Sequence, residues 1–299
     1  MPREKKVITR RDFMRASSCL AMGSLMGWPL IGKSSAKTRE KSRVVLIRDR
    51  QVLDSQGQPR FHVLQEMLDQ AVTTLLEVPD PESAWKQLVK PNDVVGMKSN
   101  VWHYLPTPRA LEEAIQTRLM DAGVKEGNFD ADDRGVLGNP VFKRATALIN
   151  ARPMRTHHWS GLGTLLKNYI MFVSWPWRYH GNACEKLGAI WQLPNVKGKT
   201  RLNVLVMLTP LFHGIGPHHF SSRYTWPYYG LIVSKDPVAA DAIGARIIQA
   251  KRNTFFGEEK PISPPPLHIA AADMRFGLGN SRPERIQLIK LGWGEDILL

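Results

Sequence analysis

The stretch Gly230-Leu231-Ile232-Val233-Ser234-Lys235-Asp236-Pro237-Val238-Ala239-Ala240-Asp241-Ala242 decides the fold class. Its apolar, partly β-branched opening over residues 230–234 reads as a short buried strand. Asp236 and Pro237 then supply an N-cap and a first-turn proline, so a helix starts at once and is expected to run to about residue 251. A strand that feeds directly into a helix is the repeating unit of an α/β protein.

The same alternation extends outward. Residues 44–47, 93–98, 145–150, 202–208 and 286–291 read as further strands. Helices are expected over 61–76, 82–89, 109–121, 161–173, 183–192 and 267–275, with Thr107 as the N-cap before Pro108 of the third. No linker splits this series. The expectation is a single α/β domain over residues 37–299, with a mostly parallel or mixed sheet flanked by helices.

Residues 1–36 carry a different signal. Thr9-Arg10-Arg11-Asp12-Phe13-Met14-Arg15 is a paired-arginine block, followed by a weakly apolar stretch and by Ser34-Ser35-Ala36 with small residues before a cut after Ala36. That order of basic, apolar and small-residue regions is a twin-arginine signal peptide. The expectation is a bacterial periplasmic protein exported folded by the twin-arginine translocation machinery. This route often carries cofactor-bearing cargo.

The 299-residue chain has a formal net charge of +14, of which the first 36 residues account for +5. The remaining +9 is spread without a long basic run, and no nucleic-acid-binding motif is present, so no nucleic-acid partner is expected. Cys19 and Cys184 are the two cysteines, which rules out a four-Cys zinc site, an all-Cys iron–sulfur cluster or a disulfide framework held by this chain alone. The sequence also has no G-x-S-x-G elbow, no Walker A loop and no G-x-G-x-x-G after a strand.

Four stretches at element ends carry the candidate chemistry. Lys98-Ser99-Asn100-Val101-Trp102-His103 follows a buried strand, where Lys98 can hold an anion or act as a base and Asn100 can line a pocket. In Arg152-Pro153-Met154-Arg155-Thr156-His157-His158 the adjacent histidines should point apart, leaving one as acid, base or ligand and the other as a structural hydrogen-bonder. Lys167 and Asn168 interrupt an apolar segment, which argues that both face a polar pocket. His213-Gly214-Ile215-Gly216-Pro217-His218-His219 brings three imidazoles into a glycine-containing loop, a set that can converge on a transition metal. Asp241, a turn into its helix, can orient a ligating histidine. Each stretch also has a plainer reading, as a surface lysine, solvated histidines or a capping aspartate, and Cys184, outside them, reads as a packed small residue.

Together these pieces resemble the family known as domain of unknown function 362, in its twin-arginine-exported branch. The matching residues are Val95-Gly96-Met97-Lys98-Ser99-Asn100-Val101-Trp102, Thr107-Pro108-Arg109-Ala110-Leu111, Thr156-His157-His158, Leu166-Lys167-Asn168, His213-Gly214-Ile215-Gly216-Pro217 and the opening segment, over about residues 94–245. The resemblance implies an α/β fold and no agreed chemistry. Some members carry a ferredoxin-like segment, but one cysteine beyond the signal cannot ligate such a cluster. Nickel-dependent lactate racemase, whose pincer cofactor has His and Lys ligands, shares the architecture at the level of analogy.

Two functional expectations follow. In the first, the chain is a metal- or cofactor-dependent periplasmic enzyme of redox or isomerisation type, acting on a small anionic substrate. Lys98, Lys167 and His157 would be catalytic; Asn100, His158, Asn168 and Asp241 would line a cofactor; His213, His218 and His219 would hold a metal. In the second, it is a non-catalytic metal- or cofactor-binding or maturation protein for a periplasmic partner complex.

Overall fold

The computed structural model describes residues 41–214 and 220–299, so the signal-like segment and residues 215–219 lie outside the described residues. The strands are β1 (Ser42–Arg48), β2 (Val95–Lys98), β3 (Phe129–Asp132), β4 (Ala147–His157), β5 (Gly161–Gly163), β6 (Thr200–Leu211), β7 (Gly230–Ser234) and β8 (Ile286–Gly292). They form one sheet in the order β3-β2-β4-β6-β7-β1-β8, with β5 added to β4. β2, β3, β4 and β6 run parallel, whereas β7 is antiparallel to β6 and to β1. The fold is therefore α/β with a mixed sheet.

Successive strand residues face opposite sides of a sheet, and β1 shows the result. Val45 and Ile47 pack with α1 (Phe61–Leu76), α2 (Pro81–Leu88) and α3 (Arg109–Asp121), while Val44 and Leu46 pack with α7 (Pro237–Phe256) on the other face. The bounds of α1, α3 and β7 are those the sequence predicts. Asp236 caps α7 as expected, accepting from Val238 N at 2.8 Å and Ala239 N at 3.0 Å.

The structure departs from the sequence reading at five places. β3 was not predicted: this short edge strand alternates Phe129 and Ala131 with Asp130 and Asp132, too brief a pattern to stand out. Thr107 does not cap α3; its hydroxyl accepts from Asn100 N at 3.0 Å and donates to Ala151 O at 3.3 Å, tying the β2–α3 loop to β4.

Residues 161–173 are not one helix. After α4 (Pro140–Lys143) and β4, Gly161 adopts φ +70 and β5 pairs back onto β4, before α5 (Leu165–Asn168) and a 3-10 turn (Tyr169–Phe172). The apolar run is buried on every side, and such burial carries no helical period to read. Residues 183–192 are likewise mostly 3-10 turn, entered through α6 (Gly181–Cys184), in which Asn182, Ala183 and Cys184 are all left-handed.

The decisive surprise is β4, which continues seven residues past its predicted end at Asn150, through Arg152, Pro153 and Arg155, buried throughout. Its pairing with β6 slips between Pro153 and Arg155. Residues three apart on a regular strand face opposite sides; a bulge breaks that alternation. Arg152 and Arg155 consequently reach the same cavity.

Candidate functional site

A cavity of about 280 Å³ opens beyond the carboxyl ends of β2 and β4, where parallel α/β sheets place their sites. Arg152 and Arg155 line it, each less than 5% exposed. Among the described residues neither forms an ion pair, and Arg152 Nε and Arg155 Nε and Nη1 are buried with no hydrogen-bond partner. Arg155 also stacks its guanidinium 4.1 Å from the centre of the Trp102 ring, another cavity residue. Burial pushes both guanidinium pKa values down, Arg152 to about 10.

The acidic residue on the wall, Asp133, is already committed. It bonds the Lys98 ammonium through Oδ1 and accepts from Val101 N at 2.9 Å through Oδ2. Lys98 also donates to Ser99 O at 2.7 Å. Lys98 is fully buried and is not on the cavity wall. Burial lowers its pKa to about 8, against the pull of Asp133. Asp133 acts on Arg152 and Arg155, and Asp241 on Arg152, through charge alone, without an ion pair or hydrogen bond among the described residues.

Lys167 and Asn168 both face the cavity from α5, as their polar character inside an apolar segment predicts. Asn168 Nδ2 donates to Lys98 O, Asn150 Oδ1 and Ala151 O at 2.9–3.2 Å. Asn150 in turn donates to Leu165 O and to Asn203 Oδ1, both at 3.1 Å. This amide ladder fixes α5 over β4 and β6. Lys167 is 3% exposed, and burial lowers its pKa to about 8. Its ammonium makes no ion pair among the described residues and lies 3.7 Å from Cys184 Sγ.

Asp241 lies under α5 and turns toward backbone. Its carboxylate accepts from Leu165 N and Leu166 N, each at 2.9 Å, closing the start of the helix that carries Lys167 and Asn168. It is fully buried, and that burial raises its pKa to about 7. The histidine partner expected of it is absent from these bonds; Asp241 positions α5 instead.

His157 ends β4 and lines the cavity. Burial, then Lys167, Arg155 and Arg152, lowers its pKa strongly, so the ring is neutral. Its Nδ1 accepts from Trp159 N at 3.2 Å, which puts the proton on Nε2. The two adjacent histidines do not point apart: the chain turns after His157, and the His157 and His158 rings stack at 4.9 Å and 13°. His158 packs on Trp159, which stacks on His180 at 3.9 Å, giving the cavity an aromatic rim. Asn100, also predicted, completes the wall, its Oδ1 buried without a partner.

The structure thus brings together Asn100, His157, Lys167 and Asn168, with Lys98 and Asp241 supporting them from behind. It does not bring His213 there. His213 Nδ1 accepts from Arg252 Nη1 at 3.0 Å and its ring meets Tyr224 and Phe256. His218 and His219 lie outside the described residues. Among the described residues no group of three His, Cys, Asp or Glu side chains is placed to hold a metal ion.

Arg152, Arg155, Asp133 and His180 were not predicted as site residues. Arginines flanking a proline just before a double histidine were the available signal for the first two; Asp133 and His180 offered none.

This fold and cavity define an α/β protein with a cavity lined by two buried arginines and a buried lysine at the ends of β2 and β4. Residues 134–246, which include β4, α5 and the start of α7, match the model of the family described as Domain of unknown function (DUF362). No curated protein and no solved structure matches the chain.

Proposed function

We propose that this chain binds a small carboxylate- or phosphate-type anion between Arg152 and Arg155 and performs acid–base chemistry of isomerisation type on it. The supporting observation is the pair of buried guanidinium groups with unpaired N–H donors beside an acid already claimed by Lys98. Buried charge without a partner is costly, and an anion accepting those hydrogen bonds removes the cost. At about 280 Å³ the cavity is near the lower end of ligand sites, roughly 300–1,000 Å³, which favours a small ligand. Lys167 and neutral His157 supply proton-transfer and hydrogen-bonding groups from this chain alone.

Thermal unfolding against a panel of monocarboxylates, dicarboxylates, phosphate and sulfate tests the reading. A bound anion at a hundred times its Kd stabilises by about 2.7 kcal/mol, which is roughly 5–10 °C for a domain of this size. The same panel should leave the double variant Arg152→Met/Arg155→Met unmoved. Equal shifts in both proteins would remove the proposal.

Export through the twin-arginine route is part of the same reading and rests on the sequence of residues 9–36. Replacing Arg10 and Arg11 by Lys should retain the protein in the cytoplasm; unchanged periplasmic delivery would contradict it.

A second reading, a non-catalytic maturation or binding protein for a periplasmic partner, is favoured by Trp175 and Trp177, which are 53% and 64% exposed near the rim. Turnover of a small anion by the isolated protein would set it aside.

A further inference from the structure

Lys167 is the lysine of the cavity wall, and its surroundings differ from those of a structural ammonium. Lys98 shows what such an ammonium needs: a carboxylate and a carbonyl, both in contact. Lys167 has neither among its hydrogen bonds; its neighbours are the Cys184 thiol, two guanidinium groups and neutral imidazoles. An amine so buried among cations is held as its free base more readily than an exposed lysine, and a free amine is a nucleophile.

The segment that presents Cys184 to Lys167 is built under strain. Asn182, Ala183 and Cys184 follow one another at φ between 45 and 63, a conformation disfavoured for Ala183 and Cys184, whose Cβ crowds the following carbonyl. Such strain persists where the surrounding structure holds it. Here it is held by a chain segment that also carries His180 onto the cavity wall.

We propose that Lys167 forms an imine with the carbonyl of a small 2-oxo carboxylate whose carboxylate group is held by Arg152 and Arg155. The inference rests on the anion reading above and names its substrate class. Two guanidinium groups suit a planar carboxylate, and Lys167 lines the same cavity as both, which puts it on the wall available to the carbonyl next to that carboxylate.

The step balances without a further reagent. The Nζ lone pair attacks the carbonyl carbon, forming a C–N bond while the carbonyl π pair moves to oxygen. A proton passes from nitrogen to that oxygen, giving the carbinolamine. A second proton, from solvent, lets the oxygen leave as water while the nitrogen lone pair forms the C=N bond, leaving a protonated imine. Neutral His157, with its proton on Nε2, is a hydrogen-bond donor for the developing oxyanion, a role that does not require it to ionise.

The test uses the whole protein, pyruvate as the probe and sodium borohydride as the trap, read by intact mass and peptide mapping. The expected result is one reduced pyruvyl group per chain, mapped to Lys167, with trapping slowed at least tenfold by excess phosphate and lost in Lys167→Met. Peptide mapping of the unaltered protein decides the matter even if that variant fails to fold. An adduct on another lysine overturns the proposal. Calorimetric binding of pyruvate at one site per chain with no trapped adduct overturns the imine and leaves the anion site standing. No binding of pyruvate, phosphate or sulfate overturns both.

Discussion

The guanidinium of Arg152 packs against the bare Cα of Gly163: an added Cβ would stand 2.7 Å from Arg152 Nη2. β5 folds back onto β4 closely enough that the hairpin itself sets the position of this arginine. Gly163→Ala should therefore push the guanidinium out of register while leaving the backbone intact. Anion affinity should fall about tenfold, or about 1.4 kcal/mol, with little change in melting temperature. Calorimetry with phosphate and pyruvate measures it, and unaltered affinity would detach Arg152 from the site.

Lys98 was expected to be catalytic, and its ion pair with Asp133 predicts a different outcome on mutation. Lys98→Met leaves a buried carboxylate without its cation and should cost about 3–5 kcal/mol. The double variant Lys98→Met/Asp133→Leu should recover most of that loss. Urea unfolding of the two proteins checks the pair; a Lys98→Met protein of native stability with no activity would return Lys98 to a catalytic role.

Imine formation needs the neutral amine, so its pH dependence has a fixed sign. Below a pKa of about 8 for Lys167, trapping should slow tenfold for each pH unit, and above it the rate should level off. The groups facing Lys167 are Cys184 and His180 from the strained segment, Arg152, Arg155 and His157 from β4, and His268 from α8 (Leu267–Met274). His180 and His268 are lowered by burial to about 4 and about 3, well below this window. Lys98 at about 8 and Asp241 at about 7 lie close to it. Cys184 touches Lys167 and raises its pKa. Cys184→Ala should therefore move the inflection to lower pH, and an inflection that stays put belongs to Lys98 or Asp241.

The left-handed turn gives a stability prediction opposite to the usual effect of glycine. Ala183 sits at φ 50, so Ala183→Gly removes a steric penalty of roughly 1–2 kcal/mol and adds about 0.5–1 kcal/mol of chain entropy. A net gain of about 0.5–1 kcal/mol should raise the melting temperature by roughly 1–4 °C. A lower melting temperature would show that the turn is not strained at this residue.

Much of the frame was legible because its signals are local. α1 has the bounds its amphipathic spacing predicts, and β7 and the start of α7 follow from an apolar run ended by Asp236 and Pro237. Lys167 and Asn168 could be placed in a pocket because polar residues in an apolar segment need partners. The rest depends on contacts the chain does not announce. β4 carries a proline and two arginines past Asn150, which reads as a strand ending; only pairing with β6 and β5 makes it a strand. The commitment of Lys98 to Asp133 crosses 35 residues, and Asp241 reaches Leu165 across 76. Neither has a spacing to detect.

The central claim is that Arg152 and Arg155 together hold an anion. Diffraction from crystals soaked in selenate, with the selenium located by its anomalous signal, tests it most directly. The account predicts a peak in the cavity, with oxygens within hydrogen-bond distance of Arg152 Nε and Arg155 Nη1. Well-ordered guanidinium groups with no selenium between them, and selenate bound elsewhere on the surface, would contradict it.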